Sequence, residues 1–227
     1  MKIIIINPNS SDTMTASIQK AADGYVNGRF EAVAVSTKGA PEFIDYYEDH
    51  AKALPGMIQI IKENEKYADA FLVACHCDPN MHILRQISHK PVIGIGEASM
   101  RLAPMLGARF TVLATDPHSV THKEDIIHEY GLDHYLASVK VTDPSIADEF
   151  DAYEDAARRA MKEDYAEVLV LGCAGLCNLT EELTRRLQVP VLDGVVCGLI
   201  VAEGLVNAGL TTSKVRLYAN RDQEKES

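Results

Sequence analysis

The sequence lacks the features that mark membrane, secreted and nucleic-acid-binding proteins. No apolar run approaches the ~18 residues of a membrane-spanning helix, so no membrane partner is expected. A formal net charge of -11 with no basic patch argues against nucleic acid, whose phosphates would be repelled. Residues 1–7 are too short an apolar segment for a signal peptide and lack its cleavage pattern, so they predict a buried strand in a cytoplasmic protein.

Further absences narrow the chemistry. Five cysteines, an odd number, do not suggest a disulfide framework, and free thiols favour catalysis, metal binding or burial. The glycines do not fit a dinucleotide-binding fingerprint, and the C-x-x-C knuckles of structural zinc sites are missing. With 47% hydrophobic and 24% charged residues, the composition is that of a soluble globular protein.

Segments rich in β-branched residues alternate with segments of helical period. The predicted strands are Ile3 to Asn7, Ala32 to Ser36, Ala70 to Cys75, Val92 to Ile95, Phe110 to Thr115, Ala137 to Val141, Val168 to Cys173 and Val191 to Asp193. The predicted helices are Asp12 to Gly24, Asp49 to Ala68, Asn80 to Ser88, Glu97 to Leu106, Ser119 to Glu129, Asp143 to Glu163, Thr180 to Leu187 and Val195 to Ala208. Such alternation predicts an α/β fold with parallel sheets and helical crossovers.

The chain also contains an internal repeat. Cys75 and Cys173 each end a predicted buried strand, and each is followed by a polar turn and then a strand that begins with proline. The cysteines are 98 residues apart and the prolines 99, which indicates two α/β halves with one cysteine from each facing a shared cleft. We divide the chain into residues 1–97 plus 209–227 and residues 98–208, and the last helix is a candidate to return to the first half. The polar end at residues 220–227 predicts a frayed terminus.

Two thiols at strand ends suit proton transfer. Both cysteines precede a predicted helix start, where the helix dipole would lower a thiol pKa towards neutrality. Two such groups on opposite sides of one carbon can remove a proton from one face and return it to the other, which racemises the carbon without a cofactor.

Other interpretations of the cysteines stay open. Both can be buried core residues, since free cysteine is among the most buried residue types. Alternatively, Cys75, His76 and Cys77 could form a redox sensor, or could bind metal together with Cys173 and Cys177.

Several other residues are candidates for ligand contacts. Asn9 and Ser10 follow the first strand, Thr115 ends the fifth, and His76 lies beside Cys75. Glu97 follows two glycines after the fourth strand and either contacts a ligand or caps the next helix. The remaining histidines of interest are predicted on a helix surface: His118, His122 and His128.

Taken together, these short motifs resemble the hydantoin and allantoin racemases of the aspartate/glutamate racemase superfamily. The matching segments are Ile6-Asn-Pro-Asn-Ser10, Met14-Thr15, Gly39-Ala-Pro-Glu42, Asp45, Pro55-Gly56, Ala74-Cys75, Asp78-Pro79, Gly94-Ile-Gly-Glu-Ala98, Ala114-Thr115, Leu171-Gly-Cys-Ala-Gly175 and Pro190-Val-Leu-Asp-Gly194. They run through nearly the whole chain in order. One departure is His76-Cys77, where the family usually has a bulky and then a small residue.

The resemblance implies two Rossmann-like halves related by pseudo-twofold symmetry, with the active site in the cleft between them. It implies no cofactor, no metal, a small-molecule substrate and a homo-oligomer. Cys75 and Cys173 would be the acid/base thiols, and the substrate-binding positions would include Asn9, Ser10, Thr115, Ala174 and Gly175.

The expected function is racemisation of a carbon acid, and the expected substrate is a 5-substituted hydantoin or allantoin. Alternatives are an aspartate/glutamate-type amino-acid racemase, a decarboxylase or isomerase of the superfamily, and a ligand-binding member that has lost turnover.

Overall fold

The computed structural model describes residues 1–219, without the side chain of Cys177, so the predicted frayed end lies outside the described residues. The strands of this part are β1 (Lys2–Asn7), β2 (Glu31–Ser36), β3 (Ala70–Val73), β4 (Val92–Gly94), β5 (Phe110–Ala114), β6 (Leu136–Val141), β7 (Val168–Leu171) and β8 (Val191–Leu192). Its α-helices are α1 (Asp12–Val26), α2 (Tyr47–Asn64), α3 (Met81–Ile87), α4 (Ile95–Leu102), α5 (Ser119–Glu129), α6 (Glu149–Glu163), α7 (Thr180–Leu187) and α8 (Gly194–Asn207).

The predicted α/β fold is confirmed, and the strands form two four-stranded parallel sheets. The strand order is β2-β1-β3-β4 in the first sheet and β6-β5-β7-β8 in the second, so the halves share one topology. Parallel strands covered on both faces are apolar throughout, as in Ile3–Ile6. Alternate residues of this run face two different cores: Ile3 and Ile5 face one, and Ile4 and Ile6 face the other.

The register of the sheets sets the cysteines at equivalent positions. Ile6 pairs with Val73 in the first sheet, and Leu113 pairs with Leu171 in the second. Cys75 and Cys173 each follow two residues after these paired positions.

The same register corrects one correspondence between the halves. Thr115 and Asn7 both end a predicted strand, which by sequence alone would match them with each other. With Leu113 equivalent to Ile6, Thr115 matches Pro8 instead, and Asp116 matches Asn9.

Helix α8 follows the second sheet in the chain but packs against the first sheet. Val195, Leu199 and Ala202 of α8 pack in the core that contains Ile3 and Leu72 of the first sheet. This helix comes close because Gly198 faces Leu72; a Cβ there would lie 2.3 Å from a Leu72 methyl carbon. The chain therefore returns to the first half at α8, whereas our division placed residues 194–207 in the second half.

Helix α4 is shared between the halves in a similar way. Ile95 and Ala98 belong to the core of the first sheet, whereas Met100, further along the helix, packs with Phe110 and Val112 of the second. Helix α4 therefore packs against the cores of both halves and connects them beside the cleft.

The first turns of the helices are capped in two ways, by the N-cap residue itself or by a side chain from elsewhere in the chain. The Ser11 hydroxyl accepts from the Met14 N–H, so Ser11 is the N-cap of α1. The third helix, predicted to start at Asn80 directly after Asp78-Pro79, begins at Met81, and Asn80 is its N-cap in the left-handed conformation. Asp78 turns instead to α4, where its carboxylate accepts from the N–H groups of Gly96 (3.0 Å) and Glu97 (2.6 Å).

Gly94 leaves the space that this Asp78 cap occupies. A Cβ at position 94 would lie 2.2 Å from Asp78 Oδ1, which is far inside van der Waals contact. The equivalent position of the second half is Asp193, whose own carboxylate accepts from Val195 and Val196 at the start of α8. Each half thus caps its crossing helix with one buried carboxylate, supplied from a different place in the sequence.

Gly94→Ala should lower the free energy of unfolding by about 1–3 kcal/mol, since the methyl group must displace the Asp78 carboxylate from α4. Chemical denaturation of the variant and the parent protein measures this loss. The matched control is Gly204→Ala in α8, where an added Cβ meets open space; it should stabilise by about 0.5–1 kcal/mol. Equal stability of the Gly94 variant and the parent would contradict the capping role.

Candidate functional site

A cavity of about 90 Å³ lies at the carboxyl ends of the strands, between the two halves. Ligand sites of α/β folds occur at this edge, because loops from several strands converge there. The first half contributes the following lining residues: Asn9, Met14, Phe43, Ile44, Asp45, Ala74, Cys75, His76 and Cys77. The second half contributes Thr115, Asp116, His118, Ser119, His122, Lys123, Gly172, Cys173 and Ala174.

The two cysteines predicted as catalytic both line this cavity, and both are partly exposed. Matching backbone hydrogen bonds hold the turns that carry them: the Ala74 N–H donates to the Ile6 carbonyl (2.8 Å), and the Gly172 N–H donates to the Leu113 carbonyl (2.9 Å). The strand edges therefore position Cys75 and Cys173 in the same way, one from each half.

The helix dipole does not dominate the titration of these thiols, contrary to our expectation from the sequence. Burial raises the pKa of Cys173, although the Gly175 N–H donates to its sulfur at 3.4 Å. A short 3-10 helix, Ala174–Leu179, follows this cysteine, and α3 begins six residues after Cys75. Because no α-helix starts directly at either sulfur, the dipole does not offset the other effects, and desolvation prevails at Cys173.

Cys75 and Cys77 are neighbouring thiols that influence each other's ionisation. Cys77 and then burial raise the pKa of Cys75 well above its usual range. Cys75, followed by the charges of Lys123 and His122, lowers the pKa of Cys77 against the effect of burial. Of the two sulfurs, Cys77 is therefore the one that ionises more readily.

Lys123 lies between the two cysteine-bearing turns. Its ammonium donates to the Gly172 carbonyl at 3.0 Å and lies 3.5 Å from His76 Nδ1. Burial, followed by the charge of Lys123, lowers the pKa of His76 to about 3, so this imidazole is neutral near neutral pH. A neutral His76 that accepts at Nδ1 has its proton at Nε2, 3.4 Å from the Ser99 hydroxyl.

The predicted binding residues divide between the cavity and its surroundings. Asn9, His76, Thr115 and Ala174 line the cavity. The side-chain oxygen Oδ1 of Asn9 accepts a hydrogen bond from the side-chain amide of Asn7 at 2.7 Å, which fixes the orientation of the buried Asn9 side chain.

Ser10 and Gly175 do not belong to the lining residues. The backbone N–H of Ser10 donates to the Pro41 carbonyl at 3.0 Å, and its side chain is exposed. Gly175 does not face the cavity, but its backbone N–H donates to the sulfur of Cys173, which does.

Glu97 also lies outside the cavity. Its carboxylate pairs with Arg85 at 2.6 Å and with Arg101 at 2.8 Å, and it lines a different, larger cavity on the far side of α4. Two guanidinium partners lower its pKa against the opposing effect of burial. The structure thus gives Glu97 a role in anchoring α3 to α4.

Several lining residues were not singled out from the sequence. His118 and His122, which we placed on a helix surface, face the cavity from the start of α5. His128, by contrast, is exposed as expected and contacts Asp133 at 2.9 Å. Lys123 was missed, although it interrupts the apolar stripe Val120, Ile126 and Ile127 of α5, and a charge within such a stripe is a usable signal.

The cavity mouth is acidic. Asp45 and Asp116 both line it, one from each half. Burial and then the charge of Asp116 raise the pKa of Asp45, whereas His118 opposes this shift. His118 also forms an ion pair with Asp116 and stacks on Tyr46, with ring centroids 4.9 Å apart.

The sequence model described as Asp/Glu/Hydantoin racemase matches residues 3–201. The chain belongs to this family. It is 40% identical to a hydantoin racemase of Pseudomonas sp. (strain NS671), over 96% of this chain and 91% of that relative. It is 37% identical to a hydantoin racemase of Rhizobium meliloti, with 96% and 94% covered. An allantoin racemase structure from Klebsiella pneumoniae superposes with a TM-score of 0.90 at 34% identity, covering 96% of this chain and 93% of that one.

The described residues show neither a metal-binding cluster nor a membrane-spanning helix. Within residues 1–219, no group of three or more histidine, cysteine or acidic side chains is arranged to hold a metal ion. Cys177, one member of the metal set considered from the sequence, has its side chain outside the described part of the structure. None of the described helices combines the length and the apolar character needed to cross a bilayer.

Next to the thiol pair, Asp78 connects the halves of the racemase fold. Its buried carboxyl accepts from the Tyr130 hydroxyl of the second half at 2.8 Å as well as from α4. Burial raises the pKa of Asp78 to about 7, and the Tyr130 hydroxyl opposes that rise. Because the folded-state pKa exceeds the usual 3.8, this group stabilises the fold fully at low pH and less as pH rises through about 7.

Tyr130→Phe should destabilise the protein more at about pH 8.5 than at about pH 5, since only the ionised Asp78 depends strongly on the lost donor. The additional loss at high pH should be about 1–2 kcal/mol, since the variant can avoid a larger loss by keeping Asp78 protonated about 1.5 pH units above its parent pKa of about 7. Chemical denaturation at both pH values measures it. Tyr67→Phe, at a residue 71% exposed, is the control and should show no such pH dependence. A pH-independent loss in the Tyr130 variant would refute the assignment.

Proposed function

We propose that this chain is a cofactor-independent racemase that uses Cys75 and Cys173 as opposing acid and base on a 5-substituted hydantoin or allantoin. The observation that carries the proposal is the placement of both cysteines, at register-matched strand ends, on one cavity between the halves. Membership of the racemase family and the printed activities of the relatives support the same reaction.

The proposed reaction moves one proton in and one proton out. One cysteine, as a thiolate, removes the proton from the ring carbon beside a carbonyl, and the electron pair moves into the enolate. The opposite thiol then delivers a proton to the other face, so the configuration inverts. The enolate oxygen needs donors, and backbone N–H groups of the strand-end turns with the Asn9 amide and the Thr115 hydroxyl are the candidates around the cavity.

The dimensions of the site suit a small ring. A volume of about 90 Å³ is well below the roughly 300–1,000 Å³ of typical drug-sized pockets. The 5-substituent would therefore point to the mouth, where Phe43 is 56% exposed and Ile44 offers apolar surface.

The charge at the mouth favours a neutral ring over a free acidic amino acid. Asp45 and Asp116 would repel the side-chain carboxylate of aspartate or glutamate. Hydantoins and allantoin carry no such carboxylate, so the amino-acid racemase is the weaker candidate. A non-catalytic binding member and a decarboxylase remain alternatives, but two matched thiols suit racemisation better than either.

Two further properties belong to the proposal. The resemblance to the family implies a homo-oligomer, and the expected compartment is the cytoplasm. Size-exclusion chromatography with light scattering tests the first of these properties.

Cys75→Ser and Cys173→Ser should each lower racemisation of a 5-substituted hydantoin by at least about 100-fold, because a hydroxyl is a far weaker acid than a thiol. Each variant keeps one thiol, so in deuterated water one enantiomer should still exchange its ring proton. Polarimetry and proton NMR measure the two outcomes.

Cys197→Ala is the matched control for the cysteine variants. This cysteine is buried in the core around α8 and does not line the cavity, so racemisation should be retained. Full racemisation by either serine variant at the cavity would refute the two-thiol mechanism.

Asp116→Asn should increase turnover of a hydantoin with a carboxylate substituent relative to one with a neutral substituent of similar size, since it removes one repelling charge at the mouth. The ratio of kcat/KM values for the two substrates, with parent and variant, measures this change. An unchanged ratio would show that the mouth does not select for charge.

A further inference from the structure

Lys123 is a buried cation without a carboxylate partner. Of the lysines and arginines that the structure describes, it alone is fully buried, with 3% of its surface exposed. None of the ion pairs found among residues 1–219 includes it. A buried ammonium is costly unless a negative charge compensates it, so its partner must be sought in the cavity that it lines.

The groups whose ionisation this ammonium favours are the thiols of the cavity. The positive charge of Lys123 favours the ionised form of each cysteine on the cavity: Cys75, Cys77 and Cys173. Its two polar contacts, the Gly172 carbonyl and His76 Nδ1, are neutral groups. They orient the ammonium but leave its charge uncompensated.

Lys123 makes one polar contact with each half of the protein. Gly172 precedes Cys173 in the turn after β7, and His76 follows Cys75 in the turn after β3. One ammonium thus touches both cysteine-bearing turns, from a helix that has no counterpart lysine in the first half, where register places Ala16.

We propose that Lys123 is the common counter-cation of the thiolate in this site, whichever half carries it. Before turnover, Cys77 or Cys75 holds the negative charge and the two share one proton. A proton passing from Cys75 to Cys77 leaves the Cys75 thiolate, which takes the substrate proton, while Cys173 gives its own to the opposite face. The negative charge then lies on Cys173, still beside Lys123, and no charge is created or lost.

Other titratable groups surround the three sulfurs from every adjacent element. They are His50 of α2, His76 after β3, Asp45 and Asp116 at the mouth, His118 and His122 at the start of α5, and Tyr153 of α6. The pKa of His50 and that of His76 are lowered by burial, so neither supplies a positive charge near neutral pH. The carboxylates oppose a thiolate, and His122 favours the ionised form of Cys77. The buried ammonium is the group whose positive charge acts on all three sulfurs.

The test is a pH titration of thiolate ultraviolet absorbance in the protein without substrate. In Lys123→Met the first thiolate transition should move up by about one to three pH units, the usual effect of losing a nearby opposite charge. Lys123→Arg keeps the charge and should stay near the parent value. Lys162→Met, at an exposed lysine of α6, is the matched control and should leave the transition unchanged.

A second reading separates this role from a purely structural one. The pH at which kcat/KM rises should move upward together with the thiolate transition in Lys123→Met and recover in Lys123→Arg. If Lys123→Met does not fold, Lys123→Gln against Lys123→Arg gives the same comparison. An unmoved thiolate transition in the folded neutral variant would overturn the inference, even if activity were lost.

This inference rests on the proposed two-thiol racemase for its catalytic meaning, but the absorbance titration needs no substrate. A shifted transition without any racemisation in the parent protein would keep the counter-cation and refute the function. Racemisation by the parent protein, together with an unmoved thiolate transition in Lys123→Met, would keep the function and refute the counter-cation.

Discussion

The structure depends on the parallel pairing of β1 with β3 and of β5 with β7. Backbone hydrogen bonds fix these strands to within one residue, because a shift by one would turn every apolar side chain to the wrong face. The Ile6–Val73 and Leu113–Leu171 pairs then bring the turns with Cys75 and Cys173 to the same edge. Both cysteines are thus placed by hydrogen-bonded strand ends, and the loops supply their surroundings.

The two halves share a topology but not an electrostatic environment. In the first half, the neighbouring Cys77 raises the pKa of Cys75. In the second half, Cys173 has the N–H of Gly175 as its local donor. The two cysteines at matched strand ends are thus surrounded by different chemistry. Lys123 contacts the turns of both.

The helix caps show the same divergence at the level of the fold. Both crossing helices begin with a buried carboxylate, but Asp78 reaches α4 from the loop after β3, whereas Asp193 caps α8 from its own position. The first arrangement requires glycine at position 94 and gains a contact with Tyr130 of the other half. It ties the thiol-bearing turn to both halves, so the stability of the fold and the position of Cys75 are coupled.

The sequence by itself determined the α/β class, the strands and helices, the equivalence of Cys75 and Cys173 and the resemblance to the racemase family. These follow from local signals: apolar periodicity, capping residues such as Ser11, and the repeated cysteine-to-proline spacing. Only the tertiary structure decided that α8 packs on the first sheet, that Glu97 faces Arg85 and Arg101 away from the cavity, and that Lys123 faces into it. The reason is that the partners of these side chains are distant in the chain: the apolar stripe of α5 can mark Lys123 as buried, but not the groups that it faces.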